Sequence, residues 1–302
     1  MAKVLVLGNA GLDISLQMPR LPERGETLLG DGAMRAPGGK GLNQAVVAAR
    51  AGADTRFAAP IGNDGMGEEI IRILGAEQNL VFEPERLEGS SDFSLLMVLP
   101  DGENSIVTAG ACAAAFSTEG AARFAAKAEA GDLFLAQGNL TQETTLAGFK
   151  AARDCGAFTV FNPAPIWWDA APLLAHCDIL VVNRGEAEAI SGLDDPAAAA
   201  ARLHERGAKT TIITLGGDGC LVHSSGTTRH HEAIAVKVRD TTGCGDTFCG
   251  ALCAALSLGH SLEEAIAYAQ SAASITATRP GAFRALPSPA ELSALLKNGG
   301  LT

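Results

Sequence analysis

Along the chain, short β-branched and leucine-rich runs alternate with alanine-rich stretches whose apolar positions recur at helical spacing. The runs are Val4 to Leu7, Thr55 to Ala58, Asp132 to Ala136, Thr159 to Asn162, Ile179 to Asn183 and Thr210 to Thr214. Strands alternating with helices predict an α/β fold whose mostly parallel sheet is covered on both faces and joined by right-handed crossovers. Helix punctuation agrees. Asn43 to Ala51 stops at Gly52, Thr247 to Leu258 stops at Gly259, and Ser261 with Glu264 has capping-box spacing.

Two segments break this rhythm. Leu12 to Met34 and Asp92 to Thr108 read as antiparallel β, the second turning at Asp101-Gly102 between Phe93 to Leu99 and Asn104 to Thr108. They predict one small sheet inserted into a larger domain as a lid. No internal repeat or low-complexity linker divides the chain, so a core with a lid is expected over two hinged domains.

Composition narrows the class. The chain has 302 residues, 47% hydrophobic and 19% charged, enough to bury a full core. No apolar run approaches the roughly eighteen residues of a membrane span, and MAKVLVLGNAGLD runs from a strand into a glycine turn without a signal-peptide pattern, so a cytoplasmic protein is expected. A net charge of -11 with no basic stripe excludes nucleic acid and anionic membranes as partners and leaves a small molecule. The seven cysteines are scattered without a C-x-x-C pair, which suggests reduced thiols. Cys249 and Cys253, four apart on a predicted helix, read as small apolar filler in preference to a metal pair.

The strongest chemical signal is Gly243-Cys244-Gly245-Asp246 ahead of a helix whose buried stripe includes Phe248, Leu252 and Leu256. Glycines there let successive N–H groups converge, and a helix N-terminus adds positive potential, which together make an anion hole. An aspartate beside it can take a proton from a substrate hydroxyl during phosphoryl transfer. The same spacing also suits a tight turn with Asp246 as a helix cap, and the residues alone leave both readings open.

A second cluster, Pro37-Gly38-Gly39-Lys40-Gly41-Leu42-Asn43, lacks the upstream glycine and the Ser or Thr of a Walker A loop. Its glycines allow backbone to approach a ligand closely, and Asn43 can bond hydroxyls; a helix-starting turn without a ligand is the plainer alternative. Gly8-Asn9-Ala10-Gly11 follows a strand but lacks G-x-G-x-x-G spacing, which argues against a nicotinamide enzyme. Asp13, at the root of the lid, is a candidate bidentate acceptor for sugar hydroxyls or a turn cap.

Taken together, VLGNAGLD, APGGKGLNQAV, IGNDGMGE, AGACAAAF, FNPAP, VVNRGEAE, TLGGDG, DTTGCGDTFCGAL and TRPGA resemble the ribokinase-like (PfkB) carbohydrate kinases over nearly the whole chain, ribokinases above all. The resemblance implies a three-layer sandwich with a β-sheet lid, as one domain over residues 1–302 with the lid from segments 12–36 and 91–109. It implies an ATP-dependent sugar kinase acting on a primary hydroxymethyl group, D-ribose being the leading substrate. Asp246 would be the base, with the anion hole at Gly243, Cys244 and Gly245, Cys244 contributing only its N–H. Gly11, Asp13, Gly39, Lys40, Gly41, Asn43 and Asn139 would hold the sugar. Asn183 and Glu186, an N-x-x-E pattern, would organise Mg²⁺ and its waters against the phosphates. Thr214, Leu215, Gly216, Gly217, Asp218 and Gly219 would run beneath the nucleotide together with Gly245, and Gln270 would border the adenine. Asp240, Thr242, Thr276, Arg279 and Gly281 match a monovalent-cation site that would take K⁺, although Ala285 falls where ribokinases commonly have serine.

Other departures bear on the sugar. Gly11-Leu12-Asp13 stands where ribokinases commonly have N-A-D, Asn139 where they have a glutamate, and Leu95 and Met97 are expected to thicken the lid wall. A nucleoside or fructose-type kinase therefore remains an alternative, as does a catalytically silent sugar or nucleotide sensor. An exposed lid face, with apolar Leu96 and Val98, suggests a homodimer through the lid.

Overall fold

The structure, a computed structural model, describes residues 2–100 and 104–298, so the expected Asp101-Gly102 turn lies outside the described residues. Thirteen strands follow in chain order: β1 (Val4–Leu7), β2 (Gly11–Gln17), β3 (Asp31–Gly38), β4 (Thr55–Gly62), β5 (Leu80–Leu87), β6 (Asp92–Val98), β7 (Asn104–Ala109), β8 (Leu133–Gln137), β9 (Phe158–Asn162), β10 (Ile179–Asn183), β11 (Thr210–Thr214), β12 (Cys220–Ser224) and β13 (Thr227–His231). Nine form one sheet in the order β13-β12-β11-β10-β9-β8-β1-β4-β5; β3-β2-β6-β7 form the second. The large sheet is parallel from β11 to β5, with β12 and β13 antiparallel at one edge.

Strand β1 shows why the layers number three. All four of its residues are buried, and alternate side chains serve opposite cores because successive Cβ atoms point to opposite faces. Val4 and Val6 join the cluster containing Leu42, Val46, Leu252 and Ile266; Leu5 and Leu7 join the one containing Phe124, Phe134, Phe149 and Phe161. Helices Lys40–Arg50, Cys244–Ser257 and Leu262–Ala277 thus cover one face of the sheet, and Thr118–Ala125 and Gln142–Asp154 the other.

Helices Lys40–Arg50 and Cys244–Ser257 are brought close by Gly250. A Cβ there would lie 2.5 Å from the Gln44 carbonyl oxygen and 2.8 Å from Val47 Cβ. The contact sets the N-termini of the two glycine motifs side by side. Both helices begin three residues before the expected Asn43 and Thr247, because Gly39 (φ 103°) and Gly243 (φ 79°) each take the non-helical N-cap position. Lys40 and Asp246 therefore stand in first helical turns. The Ser261–Glu264 capping box is present.

The small sheet is mixed where antiparallel pairing was expected. Strands β2 and β6 pair in parallel from Gly11↔Asp92 to Gln17↔Val98, flanked by antiparallel β3 and β7. The reason lies in the large sheet: β2 follows β1 and β6 follows β5 after short connections, and β1 and β5 run in the same direction through β4. Met34, Ile106 and Val107 are exposed on this sheet, while Leu96 and Val98 are half-buried. Cys249 and Cys253 are fully buried in the core. Among the described residues, no helix is long and apolar enough to cross a membrane.

Candidate active site

At the start of helix Cys244–Ser257, Thr247 N–H donates to the Gly243 carbonyl at 2.8 Å and Cys244 N–H to the Thr241 carbonyl at 3.2 Å. The N–H groups of Gly245 and Asp246 keep no intrahelical acceptor, since the first turn of a helix has none to offer. Within the expected hole Cys244 N–H is engaged by the turn, whereas the N–H groups of Gly243, Gly245 and Asp246 have no acceptor among the described residues. Cys244 itself is partly buried, and its thiol is pushed up to about 11 by desolvation and then by the charges of Asp240 and Asp246.

Asp246 is buried, and each carboxylate oxygen accepts an amide hydrogen bond: Oδ2 from Asn43 Nδ2 at 3.0 Å, Oδ1 from Gln44 Nε2 at 3.1 Å. Gln44 also donates to Asn162 Oδ1 at 3.1 Å and accepts from Gln137 Nε2 at 2.8 Å, and Asn162 Nδ2 donates to the Val181 carbonyl at 2.9 Å. The carboxylate is therefore aimed by a polar chain running into β8, β9 and β10. Lys40 Nζ stands 3.8 Å from Asp246 Oδ1, and that carboxylate, first among the causes, raises the lysine's pKa. The side chain of Asp246 caps no N–H of its own helix. Lys40, expected beside the sugar, thus stands next to the expected base.

A cavity opens between the lid and the ends of β1, β8 and β9. Gly11, Asp13, Gly39 and Asn139 line it, together with Asn9, Phe93, Ser94 and Trp167. Lys40, Gly41 and Asn43 stand next to it without lining it; Gly41 N–H is held by Asn9 Oδ1 at 3.3 Å. The Asp13 carboxyl is raised to about 6, first by desolvation, with a Ser94 contact lowering it and the Asp246 charge raising it. Gly38 leaves room for that carboxyl: a Cβ there would lie 2.4 Å from Asp13 Oδ2. Gly11 has no such room, because its Cβ would lie 2.6 Å from the Asp92 carbonyl oxygen. Only its backbone can meet a ligand. The bulky walls are Phe93 and Trp167; the expected Leu95 and Met97 do not line the cavity. Among the described residues, Asn43 Oδ1, Gln137 Oε1 and Asn139 Oδ1 are buried oxygens with no hydrogen-bond partner, and of these three residues only Asn139 lines the cavity.

On the other side of Gly245 runs an apolar groove of about 320 Å³. Thr214, Gly216, Gly217, Gly219, Gly245 and Gln270 line it as expected. Leu215 and Asp218 do not: Leu215 packs on the core, and the Asp218 carbonyl accepts from His230 Nε2 at 2.6 Å. Gln270 Nε2 donates to the His231 and Glu232 carbonyls, at 3.4 and 3.2 Å. The far wall is Ala233, Ile234, Ala235, Val236 and Val238, with no regular secondary structure. This wall went unmarked in the sequence, although Ile234, Val236 and Val238 alternate with smaller or polar residues as a strand would.

Asn183 and Glu186 form a reciprocal capping box: Asn183 Oδ1 accepts from Glu186 N at 2.8 Å and Glu186 Oε2 from Asn183 N at 2.9 Å. Asp240 ties two loops together, accepting from Thr242 N–H and Oγ1 at 2.8 and 2.7 Å and from Gly281 N–H at 2.8 Å. Thr276 Oγ1 is buried against Thr247 Oγ1 at 2.8 Å, Arg279 pairs with Glu291, and Ala285 is buried. The sequence reading missed Gln44, Gln137 and Asn162, whose polar side chains within otherwise apolar elements were the available signal.

The sequence pattern described as pfkB family carbohydrate kinase matches residues 1–289. A ribokinase of Haemophilus influenzae is 34% identical, covering 97% of this chain and 98% of its own length. One from Mus musculus is 32% identical, over 95% and 92%. Among solved structures, ribokinase from Thermotoga maritima superposes with a TM-score of 0.90 at 30% identity, covering 99% of this chain and 100% of that one. Arabidopsis thaliana ribokinase complexed with ribose and ATP gives 0.89 at 28% identity, over 98% and 99%.

Proposed function

This chain belongs to the pfkB family of carbohydrate kinases, and we propose that it transfers the γ-phosphoryl group of ATP to the primary hydroxymethyl of D-ribose, giving ribose 5-phosphate and ADP. The observation that carries this reading is the position of Asp246. Its carboxylate stands in the first turn of a helix with free N–H donors; the neighbouring Gly245 lines the open apolar groove, and Gly39, which starts the helix carrying Asn43 and Gln44, lines the lid cavity. The ribokinases of Haemophilus influenzae and Mus musculus, and the Arabidopsis thaliana complex with ribose and ATP, support the same assignment.

In the reaction Asp246 takes the hydroxyl proton as the sugar oxygen bonds to the γ-phosphorus, and the bond to the bridging oxygen breaks to release ADP. The N–H groups of Gly245 and Asp246, with the helix dipole, stabilise charge on the transferring group. Lys40 supplies a further positive charge beside them. Asp13, Gly39 and Asn139 orient the sugar, and Thr214, Gly216, Gly217, Gly219 and Gln270 seat the nucleotide. Glu186 fits a water-mediated role toward magnesium: one carboxylate oxygen is engaged by the capping box and the other is left for a metal-bound water. Magnesium, when bound, neutralises phosphate charge.

The loops tied by Asp240 fit a monovalent cation held by backbone oxygens near Thr242, Arg279 and Gly281. Replacing K⁺ with a bulky inert cation at matched ionic strength should lower the rate. We further propose that residues 1–302 act as one kinase unit in the cytoplasm, with segments 12–36 and 91–109 as lid, and that exposed Met34, Ile106 and Val107 support pairing of two lids. The central test is ADP release across a panel of sugars and nucleosides. Preference for ribose is expected; preference for fructose or a nucleoside would reassign the substrate, and binding without ADP from any compound would reject catalysis.

A further inference from the structure

The chain has two tryptophans, adjacent in sequence and opposite in use. Trp168 is an anchor: its Nε1 donates to the Leu140 carbonyl at 2.8 Å, and its ring stacks on Phe161 with centroids 6.1 Å apart and planes 17° apart. The same loop is pinned where Gly138 N–H donates to the Ala164 carbonyl at 3.1 Å. A Cβ on Gly138 would lie 2.3 Å from the Pro165 carbonyl oxygen. Held this way, the loop presents Trp167 to the lid cavity with 63% of its surface exposed. Folding gains little from an indole left in water. On the same wall, Asn139 Oδ1 is buried and has no partner.

We propose that Trp167 is a specificity-determining wall of the sugar site: the C–H face of the pentose packs on its indole, beside the polar Asn139 that lines the same cavity. The inference rests on the sugar-kinase reading and adds to it a recognition element built from ring face in place of charge. An aromatic face suits the apolar face of a sugar, and its contribution is of the order of a well-packed aromatic contact. Gly11 has no side chain to bind a hydroxyl, and a Cβ there would lie 2.6 Å from the Asp92 carbonyl oxygen, so the wall supplies what that strand does not.

The stacking contact is made equally before and during phosphoryl transfer, so its loss should raise KM and leave kcat alone. Trp167→Ala should raise the KM for ribose about tenfold with kcat within about twofold; Trp167→Phe should recover most of the loss and Trp167→Leu should not. Without nucleotide, ribose should shield wild-type tryptophan emission from acrylamide, and the remaining Trp168 emission of Trp167→Phe should not respond. An unchanged KM in Trp167→Ala, equal rescue by leucine, or no shielding by any sugar of the panel would overturn the inference. Failure of the wild type to release ADP with any sugar would overturn the kinase reading instead, while shielding would still decide the role of Trp167.

Discussion

Asn43 Nδ2 donates to Asp246 Oδ2 at 3.0 Å across 203 positions of chain, and this bond joins the two glycine motifs into one site. Helix Lys40–Arg50 brings the amide and helix Cys244–Ser257 the carboxylate, and Gly250 sets how closely they approach. The consequences can be measured.

Asp246→Asn keeps the shape of the site but removes the proton acceptor. Turnover should fall by roughly 10² to 10⁴, the usual contribution of a general base. Nucleotide affinity by calorimetry should stay within about twofold. Near wild-type turnover would return Asp246 to a purely structural role.

Gln44→Ala should weaken both fold and chemistry. Gln44 is fully buried, and its loss leaves Gln137 Nε2, Asn162 Oδ1 and one oxygen of Asp246 short of a partner. At roughly 1 to 3 kcal/mol for each buried group left unpaired, urea denaturation should show a loss of at least about 3 kcal/mol. A loss under about 1 kcal/mol would mean that water fills the gap.

Asp13 couples stability to sugar binding through pH. Its carboxyl rises from an ordinary 3.8 to about 6 in the folded chain, chiefly by desolvation. Below about pH 4 the group is protonated in both states and costs nothing. Between about pH 4 and 6 the unfolded chain ionises the group while the folded chain still holds it protonated, so about 2 to 3 kcal/mol of stability is lost across that window, and above 6 the folded state carries the buried charge. Asp13→Asn should recover that loss at pH 7.5 and recover nothing at pH 4. Sugar affinity should move the other way, weakening about tenfold per pH unit below 6 as the acceptor is protonated. Calorimetric titrations with sugar alone, from pH 5 to 8, check the sign.

Gly11→Asn puts back the residue type that ribokinases commonly carry there, yet it should not improve binding. Its Cβ would meet the Asp92 carbonyl oxygen at 2.6 Å, so β6 must move. Asp92 also holds Cys112 and Ala113 N–H at 2.8 and 2.9 Å, which resists that movement. A stability loss of about 1 to 3 kcal/mol and a higher KM are expected. A lower KM for ribose would show that the strand yields and the amide reaches the sugar.

The comparison of sequence with structure is most instructive at the two glycine motifs. Gly39 and Gly243 could be recognised as turns because glycine alone tolerates φ of 103° and 79° without strain, a property carried by one residue. Local periodicity also marked six of the nine strands of the large sheet and the Ser261–Glu264 box, since strand and helix repeats are written within a few residues, while the edge strands β5, β12 and β13 went unmarked. The parallel pairing of β2 with β6 was not legible, because it follows from the direction in which two distant strands leave another sheet. Gln44, Asn162, Trp167 and the wall from Ala233 to Val238 escaped notice for a related reason: each gains its place from neighbours supplied by remote segments. The chemistry of single turns is local and can be read in order along a chain. Which turn faces which, and what lines the space between them, depends on close packing of whole elements, and here one missing Cβ at Gly250 set that distance.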